Sequence, residues 1–167
     1  VREVLAGGPE EGPGWTIAAK VNGRPVDLSH LLDSDAVVEP IGAASAEGLS
    51  ILRHSISHVM AQAVQQLFAG VQVAIGPAIE DGFYYDFEYA EGFTPQDLER
   101  IEARMGEIAA ADFPFERREV GREEAIELFR GKGERYKVEL IRDLPAGVEK
   151  VSLYAQNGYV DLCRGPH

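Results

Sequence analysis

The chain has 167 residues, of which 45% are hydrophobic and 26% are charged, and its formal net charge is −12. This composition is ordinary for a globular protein and excludes a disordered or fibrous chain, while the length excludes a large multidomain enzyme and allows one ordinary domain or two small ones. The acidity argues against unaided binding to nucleic acid, because contacts to phosphate need Lys and Arg.

The first predicted unit is small and rich in strands. A strand over Thr16–Val21 leads to the turn pair Asn22-Gly23, and Asn-Gly next to an apolar run is a strong hairpin signal. Val37-Val38 predicts one more short strand, and the small residues of 43–48 indicate a linker. A turn-rich opening precedes the first strand, with Gly7, Gly8, Gly12, Pro13 and Gly14.

A long helix is predicted from Leu49 to Phe68, because apolar residues recur there every three or four positions. His54 and His58 fall on the face opposite this apolar stripe, so we expect them to lie away from the core. Histidines four residues apart stand one above the other on a helix and can converge on one small target. The predicted stripe consists of Leu52, Ile56, Val59, Met60, Ala63 and Leu67.

The remainder mixes strands and helices rather than alternating them, which predicts an α+β fold with antiparallel sheet. Thr94-Pro95 provides a hydroxyl cap and a proline at the start of a second helix. A third helix is predicted over Arg122–Arg130. Strands are predicted over Val71–Ile75, Phe83–Phe87 after an Asp81-Gly82 turn, Tyr136–Ile141, Val151–Tyr154 and Tyr159–Leu162.

The cellular compartment is predicted from three features: membrane-spanning runs, leader peptides and disulfides. No apolar run approaches the roughly 20 residues that span a bilayer, and no basic-then-apolar leader opens the chain. The single cysteine, Cys163, cannot form an internal disulfide, so no oxidising compartment is implied. We therefore expect a soluble, cytoplasmic protein without a membrane partner.

Two pairs of residues with the same spacing could carry chemistry. His54-x-x-x-His58 lies on the predicted helix, and Cys163-x-x-x-His167 ends the chain with glycine and proline between its members. Three imidazoles and a thiolate match the ligands that zinc accepts in tetrahedral coordination. The repeated spacing favours one shared site over coincidence.

The kind of site stays open at this stage. A metalloprotease of the His-Glu-x-x-His type is excluded, because Ser55 stands where its glutamate would be. Cys163 could be a nucleophile beside a histidine base, or the imidazoles could activate water with Asp161 as the acidic partner on the same strand face. Lys137 and the phenol of Tyr85 are candidate substrate contacts.

With these motifs in order, the chain resembles the threonyl-tRNA synthetases over nearly its whole length. The segments that carry the resemblance are Arg53-His54-Ser55-Ile56-Ser57-His58, Ala74-Ile75-Gly76-Pro77, Asp81-Gly82-Phe83-Tyr84-Tyr85-Asp86, Tyr136-Lys137-Val138 and Val160-Asp161-Leu162-Cys163-Arg164-Gly165-Pro166-His167.

The resemblance implies a domain layout and a set of site residues. Residues 1–42 would be part of a small β-grasp TGS domain, and residues 49–167 would be an editing domain related to that of alanyl-tRNA synthetase, cut short at its C-terminal end. The resemblance places His54, His58, Cys163 and His167 in the editing centre, with Asp161 and Lys137 handling water and substrate and with Tyr85 and Arg164 contacting substrate.

The implied reaction is hydrolysis of the ester that joins serine to the terminal adenosine of a threonine-accepting tRNA. Its partners would be the tRNA acceptor end and the rest of a synthetase that forms a homodimer. No cofactor is required for editing by this resemblance; zinc on the His-Cys set is the less favoured expectation, and ATP would serve only a ligase domain, whose motifs the chain lacks.

Two rival interpretations remain. The chain could be a non-catalytic, zinc-stabilised adaptor module, in which all four side chains are ligands and no position is open for water. It could also be a free-standing editing factor rather than part of a synthetase. Metal analysis separates the first rival from an editing enzyme, and the native reading frame separates the second.

Overall fold

The computed structural model describes residues 1–6 and 14–167, and it confirms the predicted α+β class. The predicted opening at Gly7, Gly8, Gly12 and Pro13 lies outside the described residues. The helices are α1 (Ala46–Leu67), α2 (Pro95–Ala110), α3 (Arg122–Gly131) and α4 (Arg135–Arg142). The strands are β1 (Thr16–Val21), β2 (Arg24–Asp27), β3 (Val38–Gly42), β4 (Gln72–Val73), β5 (Ala78–Ile79), β6 (Gly82–Phe83), β7 (Phe87–Glu88), β8 (Glu116–Gly121), β9 (Lys150–Gln156) and β10 (Tyr159–Leu162).

The chain divides into two compact units. The first comprises Val1–Ser55, Ala78–Gly82 and Gly165–His167, and the second comprises Ile56–Pro77 and Phe83–Arg164. The sheets are antiparallel: β2-β1-β3 and β10-β9-β8 have three strands each, and β4 also pairs antiparallel with β7. A fourth, two-stranded sheet joins β5 and β6.

The first unit is built on the predicted hairpin. Asn22 and Gly23 take positive φ angles of 50° and 80°, as a tight turn between β1 and β2 requires. The sheet packs against the start of α1 through a small apolar core. That core consists of Ile17, Ala18, Ile41 and Ile51.

Helix α1 begins at Ala46, three residues before the predicted Leu49, so part of the predicted linker is helical. The physical reason is a cap, because the Ser45 hydroxyl accepts a hydrogen bond from the Gly48 N–H at 3.0 Å. Only glycine fits at position 48, since a Cβ there would lie 2.1 Å from the carbonyl oxygen of Gly42.

In the second unit, α1 buries a more polar face than the predicted stripe. Ser57, His58 and Gln62 are buried, whereas Ile56 is 42% exposed. The expectation that His58 lies away from the core was therefore wrong. The Ser57 hydroxyl donates to the Gly76 carbonyl, and the Gln62 amide group donates to the Gln156 carbonyl.

Two further helices of the second unit form where the sequence predicted them. Thr94 caps α2 in a capping box with Asp97, and Pro95 occupies the first turn. Helix α3 covers the predicted Arg122–Arg130. The core between α1 and α2 consists of Ala63, Val64, Phe68, Val71, Ile101 and Ile108.

The predicted strand over Tyr136–Ile141 was wrong, because this segment is helix α4. Its buried residues Val138 and Ile141 are three positions apart, together with Lys137 one position earlier, which is helical spacing rather than alternation. Val138 and Ile141 pack in a hydrophobic core with residues of α3 and β9.

Strand β8 was missed, and one predicted strand is broken. The sequence of β8, ERREVG, is highly charged because it is an edge strand whose side chains are largely exposed. The predicted strand over Phe83–Phe87 divides into β6 and β7, which pair with different partners. Strands β9 and β10 form as predicted, around a turn in which Asn157 and Gly158 take positive φ angles.

Among the described residues, no helix combines the length and the apolar character that crossing a membrane requires.

Candidate functional site

In the first unit, His54 and His167 form a stacked pair. Their ring centroids are 4.7 Å apart with an interplanar angle of 25°. A ring nitrogen of each lies within 4.8 Å of the other. Helix α1 supplies His54, and the segment after β10 supplies His167, so the tertiary fold joins residues that are distant in sequence.

The Ser55 hydroxyl contacts the imidazole ring of His167. Its Oγ lies 3.0 Å from the carbonyl oxygen of Ile51, to which it donates, and 3.1 Å from Nδ1 of His167. Because a hydroxyl has one hydrogen, Oγ can only accept from Nδ1 once that hydrogen goes to Ile51. In that arrangement His167 carries hydrogen on Nδ1 and presents the lone pair of Nε2.

In the second unit, a buried carboxylate organises the polar side chains. Asp161 is only 1% exposed, and its two oxygens take part in four contacts with donors. These donors are Lys137 Nζ at 2.5 Å, the Tyr85 hydroxyl at 2.8 Å, the Leu162 N–H at 2.8 Å and the Tyr159 hydroxyl at 3.1 Å. A buried charge this well satisfied has a fixed position.

The pKa values in this network diverge. Burial acts to raise the pKa of Asp161, but attraction to Lys137 and His58 and hydrogen bonds from Lys137 and Tyr85 outweigh it, so the pKa lies below its ordinary value. Burial, followed by the charge of Asp161, raises the pKa of Tyr85 and of Tyr159. At neutral pH the network therefore holds an ionised carboxylate and two protonated phenols.

His58 is oriented by the same carboxylate. Its Nδ1 lies 3.5 Å from Oδ2 of Asp161, and the side chain is 4% exposed. The rings of Phe115 and Tyr159 flank it edge-on, each at 6.4 Å. A carboxylate facing Nδ1 favours hydrogen on that nitrogen and leaves Nε2 as the basic position.

Cys163 directly follows β10 and is buried. Its Sγ lies within 4.8 Å of a ring nitrogen of His58. Its backbone is anchored to Ser152, since the Cys163 N–H donates to the Ser152 carbonyl at 3.2 Å and the Ser152 hydroxyl donates to the Cys163 carbonyl. The strand end thus holds the thiol beside the imidazole.

Tyr85 is positioned by a close backbone approach. Its ring lies against Gly76, where a Cβ would fall 2.0 Å from a ring carbon. The Gly76 carbonyl also accepts a hydrogen bond from the Ser57 hydroxyl of α1 at 3.0 Å. Lys137 donates to the Tyr85 hydroxyl at 3.2 Å.

The site residues predicted from sequence therefore fall into three groups. His54 and His167 meet in the first unit, and the second unit brings together the larger group of His58, Tyr85, Lys137, Asp161 and Cys163. Arg164 is exposed. Lys137, only 4% exposed, is neither in a strand nor at the surface, because α4 turns its ammonium group towards Asp161.

Sequence reasoning missed two members of these groups, Ser55 and Tyr159. Tyr159 lies two residues before Asp161 in β10 and therefore on the same strand face, which is a signal that could have identified it. Nothing in the sequence marks Ser55 as the partner of His167, because the two are 112 residues apart.

The donor atoms suit a metal. Imidazole nitrogen and thiolate sulfur are ligands that zinc prefers, so His54 with His167 and His58 with Cys163 each offer a suitable pair. The chemistry of the residues is thus compatible with zinc as well as with direct action on water.

Comparison with curated proteins gives consistent relatives, although no family model matches the chain. The chain is 54% identical over 159 residues to a threonine–tRNA ligase of Methylococcus capsulatus, covering 93% of the chain and 25% of the relative. It is 58% identical over 151 residues to a threonine–tRNA ligase of Pelobacter propionicus, covering 90% of the chain and 23% of the relative. The chain therefore spans about a quarter of the length of these relatives.

Proposed function

Because the chain belongs to the threonyl-tRNA synthetase family and corresponds to its amino-terminal region, we propose that it has editing activity and hydrolyses the ester that joins serine to a threonine-accepting tRNA. The observation that carries this proposal is the buried Asp161 network, which orients a basic imidazole, His58, beside a thiol. Ester hydrolysis needs such a fixed base.

The physical need for editing follows from the size of the two amino acids. A synthetic site made for threonine gains only about 1–3 kcal/mol against serine, which lacks one methyl group. A second site that admits serine and excludes threonine's methyl removes the smaller product. We propose that the chain supplies this second test.

We propose that His54, His58, Cys163 and His167 act as one centre on the ester and its attacking water. Two observations support this: His54 and His58 lie one turn apart on the single helix α1, and each has a member of the second pair within 4.8 Å. In His58, Nδ1 faces Asp161, which leaves Nε2 as the atom that can accept a proton.

In the proposed reaction, Nε2 of His58 takes a proton from water as the water oxygen attacks the ester carbonyl carbon. The carbon–oxygen bond to the ribose then breaks, and the proton passes to the ribose oxygen, so that serine and tRNA are released. Asp161 stabilises the protonated imidazole. Lys137 keeps Asp161 ionised, and we place both as positioning residues because their charged groups contact each other.

The remaining roles follow the same proposal. Tyr85 lines the pocket, and the exposed Arg164 contacts the acceptor end of the tRNA. Residues 1–42 form the partial TGS domain and residues 49–167 the editing domain. The partners are tRNA and the rest of a homodimeric cytoplasmic synthetase, whose ligase domain alone uses ATP.

Zinc is the basis of the second candidate function, since the donor set favours it. If bound, zinc would be held by His54, His58, Cys163 and His167, and it would supply a structural cross-link or a Lewis acid. We propose that editing requires no metal. Metal analysis of the purified protein tests this: one tightly held zinc per chain, with hydrolysis lost on chelation, would replace our proposal.

The decisive experiment measures deacylation of seryl-tRNA and threonyl-tRNA by the full-length protein that the gene encodes. We expect selective clearance of the seryl ester, and we expect His54→Ala to lower its rate at least about 100-fold. His30→Ala is the matched control, because His30 is exposed in the same unit. Equal loss of both esters, or of neither, would refute the proposal.

A further inference from the structure

A second carboxylate, Asp27, is buried in the first unit. It ends strand β2, where the register pairs it with the buried Ala18 of β1, and it is 9% exposed. Among the described residues of this unit, it is the only buried charged side chain. Burying a carboxylate is unfavourable unless hydrogen bonds compensate, so its partners indicate its role.

One partner of Asp27 is the backbone of His167. The His167 N–H donates to Oδ1 of Asp27 at 2.8 Å, across 140 residues of sequence. The same histidine is held through its ring by Ser55 and by stacking on His54. Asp27 therefore fixes the backbone from which this imidazole projects, while the other two residues fix the ring.

The hairpin is also held by backbone hydrogen bonds that do not involve this side chain. The turn after β2 is closed by backbone atoms, since the His30 N–H donates to the Asp27 carbonyl at 3.0 Å. The β1–β2 pairing is likewise a backbone ladder. Removing the carboxylate should thus leave the sheet in place and free the residue that it holds.

From this geometry we propose that Asp27 is a positioning residue for His167, so that the small β-sheet unit takes part in editing. This inference rests on the proposed function. Misplacing a reacting group by about 1 Å can cost about 100-fold in rate. We expect Asp27→Ala to lower kcat for seryl-tRNA hydrolysis about 10- to 100-fold with KM changed less than about threefold, because substrate contacts remain.

Two variants separate positioning from general destabilisation. Asp27→Asn keeps an oxygen that can accept from the His167 N–H, and we expect it to restore kcat to within about threefold of the parent protein. Ile41→Ala weakens the core of the same unit without touching His167, and we expect it to leave kcat unchanged at temperatures where the protein is folded.

A readout independent of activity is amide hydrogen exchange at His167 in the 167-residue chain. We expect exchange to be about 5- to 10-fold faster in Asp27→Ala and nearly unchanged in Asp27→Asn. Unchanged exchange and kcat in Asp27→Ala, or an equal kcat loss in Ile41→Ala, would overturn the inference. A parent protein without seryl-tRNA hydrolysis would instead refute the proposed function, and the exchange rates would still decide whether Asp27 holds His167.

Discussion

His58 and His167 are held by two different kinds of partner. His58 is nearly fully buried and faces a carboxylate that is itself neutralised by Lys137. His167 is half-buried and faces a neutral hydroxyl, that of Ser55. A charged partner stabilises the imidazolium that forms when the ring takes a proton, whereas a hydroxyl mainly fixes orientation. We infer that His58 is the base and that His167 positions the attacking water.

The largest effect that tests this comparison should come from Asp161→Asn. Removing the charge leaves the ammonium of Lys137 buried without its counterion, so we expect the free energy of unfolding to fall by about 3–5 kcal/mol. Urea denaturation measures it. The exposed Asp143→Asn is the control and should change stability by less than about 0.5 kcal/mol. A small loss in Asp161→Asn would mean that the network is not electrostatically organised.

Acid should weaken the Asp161 network before it affects the Ser55 contact. Because the folded-state pKa of Asp161 is lowered, its contribution to stability is present above the unfolded pKa of about 3.9 and is lost as the pH falls through the folded value. We expect the unfolding free energy to fall below about pH 4, more steeply in the parent than in Asp161→Asn. Parallel curves for the two proteins would contradict this assignment.

The smallest effect should come from Ser55→Ala. The hydroxyl contacts the Ile51 carbonyl and His167 Nδ1, and losing these neutral contacts should lower the unfolding free energy by about 0.5–1.5 kcal/mol. We expect the deacylation rate to fall about 10-fold, since the His167 ring loses the contact that holds its Nδ1. Ser55→Thr keeps the hydroxyl and should recover most of the rate. If Ser55→Ala matched Asp161→Asn in both measurements, the distinction between the base and the residue that positions water would fail.

The structural features that the sequence predicts correctly depend on short local motifs. Thr94-Pro95 and Asn22-Gly23 determine their own backbone conformations, and both formed as expected. The repeated spacing also singled out residues that meet within each unit, His54 with His167 and His58 with Cys163, while their action as one centre stays a prediction. None of these inferences required knowledge of distant packing.

Other structural features depend on contacts with residues that are distant in the sequence. Residue preferences alone predict a strand over Tyr136–Ile141, but the segment is a helix that packs against α3 and β9. Hydrophobicity alone predicts the wrong buried side of α1, because Ser57 is buried with a hydrogen bond to Gly76 and His58 is buried beside the carboxylate of Asp161. Asp27 gave no signal, since its partner lies at the other end of the chain.

The close packing at Gly76 limits the amino acids that this position can accept. Its missing side chain leaves the space that the Tyr85 ring occupies, while its carbonyl receives the Ser57 hydroxyl. Even alanine would displace the ring, and with it the phenol that donates to Asp161. We therefore expect every single substitution of Gly76 to fail in a library that covers all amino acids at this position. A side chain at position 76 could be accepted only after a smaller residue had replaced Tyr85.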